Sequence, residues 1–225
     1  MPIPSAAGGA EPRQTAKERV YNVLRDWIVE GTLVPGEKVN DMEIAAYFGV
    51  SRTPVREAIQ LLADQRLIDI FPGRESRVAP TDQAKLLEVY IIMAELHALA
   101  VRFAYDKLTP EHILELEQVN ERMAQAWRAH DREQIRAADE QFHQVFFRLA
   151  DNDFLSRFAN TLLAHVRRME NLFFTLNGNS VTEHEALLEA LRKKDLELAV
   201  TRVKENWLNT ADILAQHFAE ERQDP

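Results

Sequence analysis

The stretch from Asp41 to Leu62 restricts the fold most, because it asks for two short helices with almost no chain between them. Ile44, Ala45 and Phe48 recur at helical spacing, Gly49 interrupts them, and a second helical pattern starts three residues later. Ser51 or Thr53 can cap that second helix, and Pro54 fits its first turn, where a missing N–H costs nothing. Val55, Ala58, Ile59 and Leu62 then fall on its inner face. This is the spacing of a helix-turn-helix.

The flanks extend the unit. From Thr15, the residues Val20, Leu24, Trp27 and Ile28 form a helical stripe that Gly31 ends. Beyond the third helix, Leu67 to Phe71 and Arg77 to Ala79 read as two short strands around a Pro-Gly turn. Three helices and a β-hairpin predict a winged helix-turn-helix over residues 15–80, preceded by a mobile Pro-, Ala- and Gly-rich tail at residues 1–14.

After Pro80 the pattern turns to long helices with few breakers. Caps are expected at Thr81, Thr109 (before Pro110 and Glu111), Asp131, Asp153 and Asp195. Ser180 with Glu183 and Thr182 with Glu185 both match a capping box after an "NGNS" loop. The expected architecture is mainly α, with residues 81–225 forming an all-α bundle of six or seven helices.

Composition narrows the function. The net charge is −9, but residues 1–80 carry ten Lys and Arg against eleven Asp and Glu, and the remainder seventeen against twenty-five. The acidity belongs to the second part, so it does not argue against phosphate contact by the first. There is no cysteine, which excludes disulfides and thiolate sites and fits a cytoplasmic protein. The longest apolar run, "VYIIMAELHALAVRFAY", is broken by Glu95, His97 and Arg102, so neither a membrane span nor a secretory leader is expected.

With the third helix's apolar face turned inward, Arg52, Arg56 and Gln60 form one outward stripe, with Ser51 and Thr53 beside them. Two arginines alone would suggest an ordinary solvated face. On a helix-turn-helix they suit a major groove, where Arg pairs bidentately with guanine and hydroxyls hold phosphates. Gly73, Arg74 and Arg77 flank the wing turn, within reach of the adjacent backbone.

In the second part, Ile135, Asp139, Phe142, His143 and Phe146 share one helical face. An acid and an imidazole inside an apolar stripe need partners, and a metal ion would satisfy both. His184 lies in register with Leu188 and Leu191, and Asn206 with Ala199, Val203 and Ile213. Taken singly, each polar residue reads better as a surface pair or a satisfied core group. Phe142, Phe146, Phe147, Phe173 and Phe174 read as core that could also line an aromatic-friendly pocket, and His112, His130, His165 and His217 are given no role.

"GVSRTPVREAI" resembles the signature of GntR-type bacterial transcription regulators, and the likeness runs from about Val20 to Val78. It implies that Arg52, Thr53 and Arg56 contact DNA, with the wing from Gly73 to Arg77 assisting. Glu75 stands among the wing's basic residues, and Met42 where the family often has Glu or Arg. Residues 82 to about 216, above all "DEQFHQVFFRLADNDFL", resemble the FCD effector domain of the FadR-type branch. That resemblance implies a divalent metal, zinc or nickel, on Asp139, His143 and His184, with Asn206 where a third histidine is usual. It also implies an effector site near Met93 and His97, which replace an Arg and a Glu of the pattern, with Arg167 or Arg168 supplying charge.

The expected function is a cytoplasmic, homodimeric, DNA-binding regulator and not an enzyme. It would be a repressor released from a palindromic operator by a small organic acid held in the C-terminal domain, in part through the metal. The rivals are a metal sensor, in which the ion is the signal, and a metal-dependent hydrolase using Asp139, His143 and His184. The hydrolase reading lacks a general base and an oxyanion-stabilising loop.

Overall fold

The computed structural model describes residues 14–71, 75–173 and 178–221 of the chain. Helix α1 (Ala16–Glu30) opens on a capping box: Glu18 N–H donates to Thr15 Oγ1 at 3.2 Å, and Thr15 N–H donates to the Glu18 carboxylate at 2.8 Å. It buries Val20, Leu24 and Ile28. A two-residue strand β1 (Lys38–Val39) follows, then α2 (Asp41–Phe48), capped by Asn40, whose side chain accepts from Met42 N–H at 3.0 Å. Gly49 ends α2 with φ of +64°, a left-handed conformation that costs glycine least. Helix α3 (Arg52–Asp64) packs Val55, Ala58, Ile59 and Leu62 against α1 and α2. Ser51 holds the cap position of α3 without a side-chain capping hydrogen bond.

Strands β2 (Ile68–Ile70) and β3 (Ser76–Val78) form the hairpin, with Ile68 opposite Val78 and Ile70 opposite Ser76. The sheet has a third member, because β1 pairs antiparallel to β3, with Lys38 opposite Arg77, giving the order β1-β3-β2. Two residues are too few to show a period of two in the sequence. Residues 1–13 of the expected tail and Pro72, Gly73 and Arg74 of the wing turn lie outside the described residues.

The chain divides into two compact units between Pro80 and Thr81. The second contains α4 (Gln83–Ala104), a 3-10 turn (Tyr105–Lys107), α5 (Pro110–Ala129), α6 (Arg132–Ala150), α7 (Asp153–Phe173), α8 (Ser180–Arg192) and α9 (Leu196–Glu221). These six helices are the only long elements among the unit's described residues. Helix α4 packs on α9, α6 and α7, while α8 bridges α5 and α9. Two apolar clusters result. One gathers Leu116, Phe142, Phe146 and Leu188, and the other Tyr90, Met169, Trp207 and Phe218.

Most helix ends fall where capping chemistry puts them. Asp131 accepts from Gln134 N–H and Asp195 from Leu198 N–H, each at 3.0 Å. His112 Nδ1 accepts from Thr109 N–H at 3.2 Å, and His130 closes α5 at φ of +55°, so both histidines serve helix ends. Three caps differ from expectation. Asn152 rather than Asp153 caps α7, accepting from Leu155 N–H at 3.0 Å. Asp82 rather than Thr81 accepts from Lys85 N–H, at 3.4 Å, and α8 begins after Asn179, with Glu183 turned away from its own helix end toward α9.

A Cβ added at Gly49 would meet no atom within 4 Å, so Gly49→Ala costs only the left-handed backbone strain. The expected loss is about 1 kcal/mol, and more for the β-branched Gly49→Val. Urea unfolding monitored by Trp27 fluorescence in a Trp127→Phe, Trp207→Phe background measures both; an unchanged midpoint would contradict the assignment of strain here.

Candidate DNA-binding face and ligand cavity

In the first unit, α3 turns its apolar residues inward and leaves Ser51, Thr53 and Gln60 exposed. Arg52 and Arg56 stand out with side chains 56% and 74% exposed. Neither is solitary. The Asp41 carboxylate, in the first turn of α2, accepts from Arg52 Nη2 at 2.9 and 3.1 Å and from Arg52 Nε at 3.3 Å, and lies 3.9 Å from Arg56 Nε. Gln60 donates to Asp64 at 2.9 Å. In the wing, Arg77 donates to the Gly36 carbonyl at 2.7 Å and pairs with Glu75, which also takes Lys38 at 3.1 Å. Glu75 is thus a clamp for the wing's cations, and its carboxyl is held below the usual range by Lys38 and then Arg77.

The second unit encloses a cavity of about 70 Å³ between α4, α6, α7 and α9. Asp139 and His143 from α6 and Asn206 from α9 line it, and His184 of α8 stands behind Asp139. His184 Nε2 is 3.6 Å from Asp139 Oδ1, and His143 Nε2 is 4.0 Å from Asp139 Oδ2. Ligating atoms of all three residues lie within 4.8 Å of one another.

A buried amide assigns the His184 tautomer. Asn120 donates its Nδ2 to the Val181 carbonyl at 3.0 Å, so its Oδ1 faces His184 Nδ1, 3.2 Å away. That oxygen can only accept, hence Nδ1 carries the proton and Nε2 presents a lone pair. His184 Nε2 is buried without a hydrogen bond, as is His143 Nδ1. The ring of His184 stacks on Phe142 at 3.8 Å, fixing its plane. A lone pair aimed at a carboxylate is repulsive unless a proton or a cation sits between them.

Electrostatics fit that requirement. Burial, with the charges of Glu140 and Glu183 behind it, pushes the Asp139 carboxyl up to about 7. Burial drives His143 down to about 4 despite a hydrogen bond with Asn206, and holds His184 and His97 well below the ordinary imidazole range. The imidazoles are therefore neutral, the state in which they ligate metal. Asn206 is itself held: its Nδ2 donates to Glu183 at 2.7 Å, while Asn209 donates to the other Glu183 oxygen at 2.8 Å. With its NH2 group so engaged, Asn206 keeps an oxygen for His143 or an ion.

The rest of the cavity wall is rich in donors. Tyr90 Oη, Trp127 Nε1, Arg136 Nε and Trp207 Nε1 are buried and make no hydrogen bond among the described residues, and all four residues line the cavity. Arg136 lies 3.8 Å from Glu170, and Arg167 pairs with Glu140. Met93, His97 and Arg167 also line the wall, whereas Arg168 is buried outside it. His97 Nδ1 bonds the Met93 carbonyl at 2.9 Å, and its ring packs on Trp207, Phe147 and His143. Phe142 and Phe146 are core, and Phe147 reaches the cavity; Phe174 lies outside the described residues. Ile213, read as inward with Asn206, is 36% exposed. Sequence reasoning missed Asn120, an amide within the apolar stripe Leu116, Val119, Met123, and Arg136, one turn before Asp139. Both were visible as polar breaks on a buried face. Asp41 and Glu183 gave no such signal.

The family model for the FCD domain matches residues 88–208, and that for bacterial regulatory proteins of the gntR family matches residues 16–78. The chain is 30% identical over 210 residues to the uncharacterized HTH-type transcriptional regulator YdhC of Bacillus subtilis, covering 89% of this chain and 91% of that one. It is 31% identical over 197 residues to a probable D-xylose utilization operon transcriptional repressor of Paenarthrobacter nicotinovorans, covering 84% and 86%. Among solved structures, Escherichia coli McbR/YncC superposes with a TM-score of 0.73 at 26% identity, over 91% of this chain and 99% of that one. A winged helix-turn-helix joined to a helical domain with an internal cavity defines a DNA-binding transcription regulator, not an enzyme. The chain belongs to the gntR family of bacterial regulators, in the branch that carries an FCD domain. No helix among the described residues is long and apolar enough to cross a membrane.

Burial, then Asp139, raises the Glu170 carboxyl to about 8 against the pull of Arg136 and Arg167. From about pH 4.5 to 8 the folded protein holds a proton there that the unfolded chain has released, so stability falls as pH rises through that window. Glu170→Gln should remove that part of the slope in metal-stripped protein, measured as urea midpoints at pH 6 and pH 8.5. Equal slopes in the two proteins would show Glu170 to be ionised throughout.

Proposed function

We propose that the chain is a homodimeric repressor that releases a palindromic operator when a small organic acid enters the cavity of its second unit. The observation that carries the effector class is the set of buried donors without a hydrogen bond, from Tyr90, Trp127, Arg136 and Trp207, around one small cavity. A ligand that satisfies four donors must be rich in acceptors, and a carboxylate offers about four lone-pair sites. A cavity of about 70 Å³ suits a compact acid of a few heavy atoms. Similarity to a D-xylose operon repressor favours repression as the sign of control.

Asp139, His143 and His184 would hold a divalent ion, zinc or nickel, with Asn206 offering an amide oxygen. The fit rests on the orphaned His184 Nε2 and on separations of 3.6 and 4.0 Å, within twice a ligand bond of about 2.0–2.2 Å. Such an ion would supply a positive charge toward the effector's carboxylate. Asn120 would orient His184 for it from outside the ligand set. The same lone pair facing Asp139 favours a second reading, a metal sensor in which the ion alone triggers release.

On DNA, Arg52, Thr53 and Arg56 would meet base edges and Ser51, Gln60 and Arg77 the backbone, with Gly73 and Arg74 of the wing turn beside them. One recognition helix reads only a few base pairs, and two related by a twofold axis read a palindrome.

Native mass spectrometry should show a dimer with about one zinc per chain after incubation with zinc, and Asn120→Leu should weaken zinc binding about 10- to 100-fold by calorimetry. A dimer that stays empty would remove the metal and leave an effector held by the donors alone. Arg52→Ala or Arg56→Ala should abolish footprinting on a genomically selected operator while circular dichroism stays unchanged. Operator release on chelating or adding zinc, with no organic acid present, would select the sensor reading.

A further inference from the structure

We propose that Asp41 is a positioning residue for recognition, setting the guanidinium of Arg52 so that α3 discriminates operator from other DNA. The inference rests on the DNA-binding role of α3 and concerns a residue of a different helix.

The geometry is specific. Asp41 engages Arg52 through Nε and Nη2, the side-on edge of the guanidinium, at 2.9 to 3.3 Å. That leaves the end-on edge, with one N–H on each terminal nitrogen, free to point outward. Two parallel donors are the fork that guanine O6 and N7 accept. The same carboxylate lies 3.9 Å from Arg56 Nε, between two cations that would otherwise repel. Asp41 is 22% exposed against 56% and 74% for the two arginines, so the acid is the fixed member and the arginines extend from it. Asn40 caps the helix that carries Asp41 by accepting from Met42 N–H at 3.0 Å, which anchors the carboxylate's own backbone.

Two consequences follow. An Arg52 released from Asp41 samples many rotamers and loses its alignment with one base. It also gains freedom to pair with any phosphate, and phosphate contact carries no sequence information. The carboxylate therefore trades general DNA affinity for selectivity.

The test uses the full-length protein and a randomised duplex library, with bound sequences read after selection. The wild type should yield a two-fold symmetric motif with a fixed G·C pair in each half-site. Asp41→Ala should lose the preference at that pair, bind a mixed-sequence duplex more tightly, and steepen the salt dependence of that binding by about one unit of log–log slope. The ratio of selected to mixed-sequence affinity should fall about tenfold. Asp41→Asn, which keeps shape and one acceptor, serves if the alanine variant does not fold, and should fall between; Asp41→Glu should restore part of the preference. An unchanged motif and ratio in folded Asp41 variants, even with a lowered melting temperature, would overturn the proposal and leave a structural ion pair. A wild type that enriches no motif would overturn the recognition role of α3 itself.

Discussion

The arrangement of the second unit follows from one costly fact: α6 presents Asp139 and His143 on the same stripe as Ile135, Phe142 and Phe146. Polar groups in an apolar interior are tolerated only when each finds a partner, and here the partners come from other helices. Asn120 of α5 fixes His184 of α8, Phe142 stacks on that ring, and Glu183 of α8 takes the amides of Asn206 and Asn209 on α9. Polar contacts thus link α5, α8 and α9, and the two apolar clusters are where area burial stabilises the bundle. A purely apolar α6 would pack without needing any of these partners.

Much of this was legible, for reasons that differ by element. The longer helices of both units showed in the sequence because a period of 3.6 repeats many times within fifteen to twenty-six residues, as in α1 and α9. Strand β1 did not, because Lys38–Val39 is too short to repeat anything and forms only once β3 supplies the other edge. Asp139, His143 and His184 each interrupt an apolar face, but only the resemblance to the FCD pattern grouped them as one candidate site. The residues that orient them were read for something closer in sequence. Glu183 satisfied a local capping pattern, and only the tertiary fold shows its carboxylate spent on α9 instead. Local competition for hydrogen bonds is decided by what the fold brings near, which spacing along one helix does not encode.

The cavity wall shows the same division. Met93 and His97 replace the charged pair that the FCD pattern usually carries, and the structure buries both, with His97 packed among Trp207, Phe147 and His143. Positive charge enters instead from Arg136 on α6 and Arg167 on α7. Each of these arginines faces a carboxylate of the same wall, Arg136 that of Glu170 and Arg167 that of Glu140.

In the other unit, acidic residues pair with the exposed cations of α3 and the wing. Asp41 sits between Arg52 and Arg56, and Glu75 holds Arg77 and Lys38. Each trio carries a net charge of only +1, and the chain as a whole carries −9. Long-range attraction to a polyanion is weak under those conditions, because steering depends on the summed field over a Debye length. Affinity must then be gained at contact, where a restrained guanidinium meets one base edge well and most others badly. A face built this way has little attraction for random DNA, so its selectivity rests on contacts made at close range.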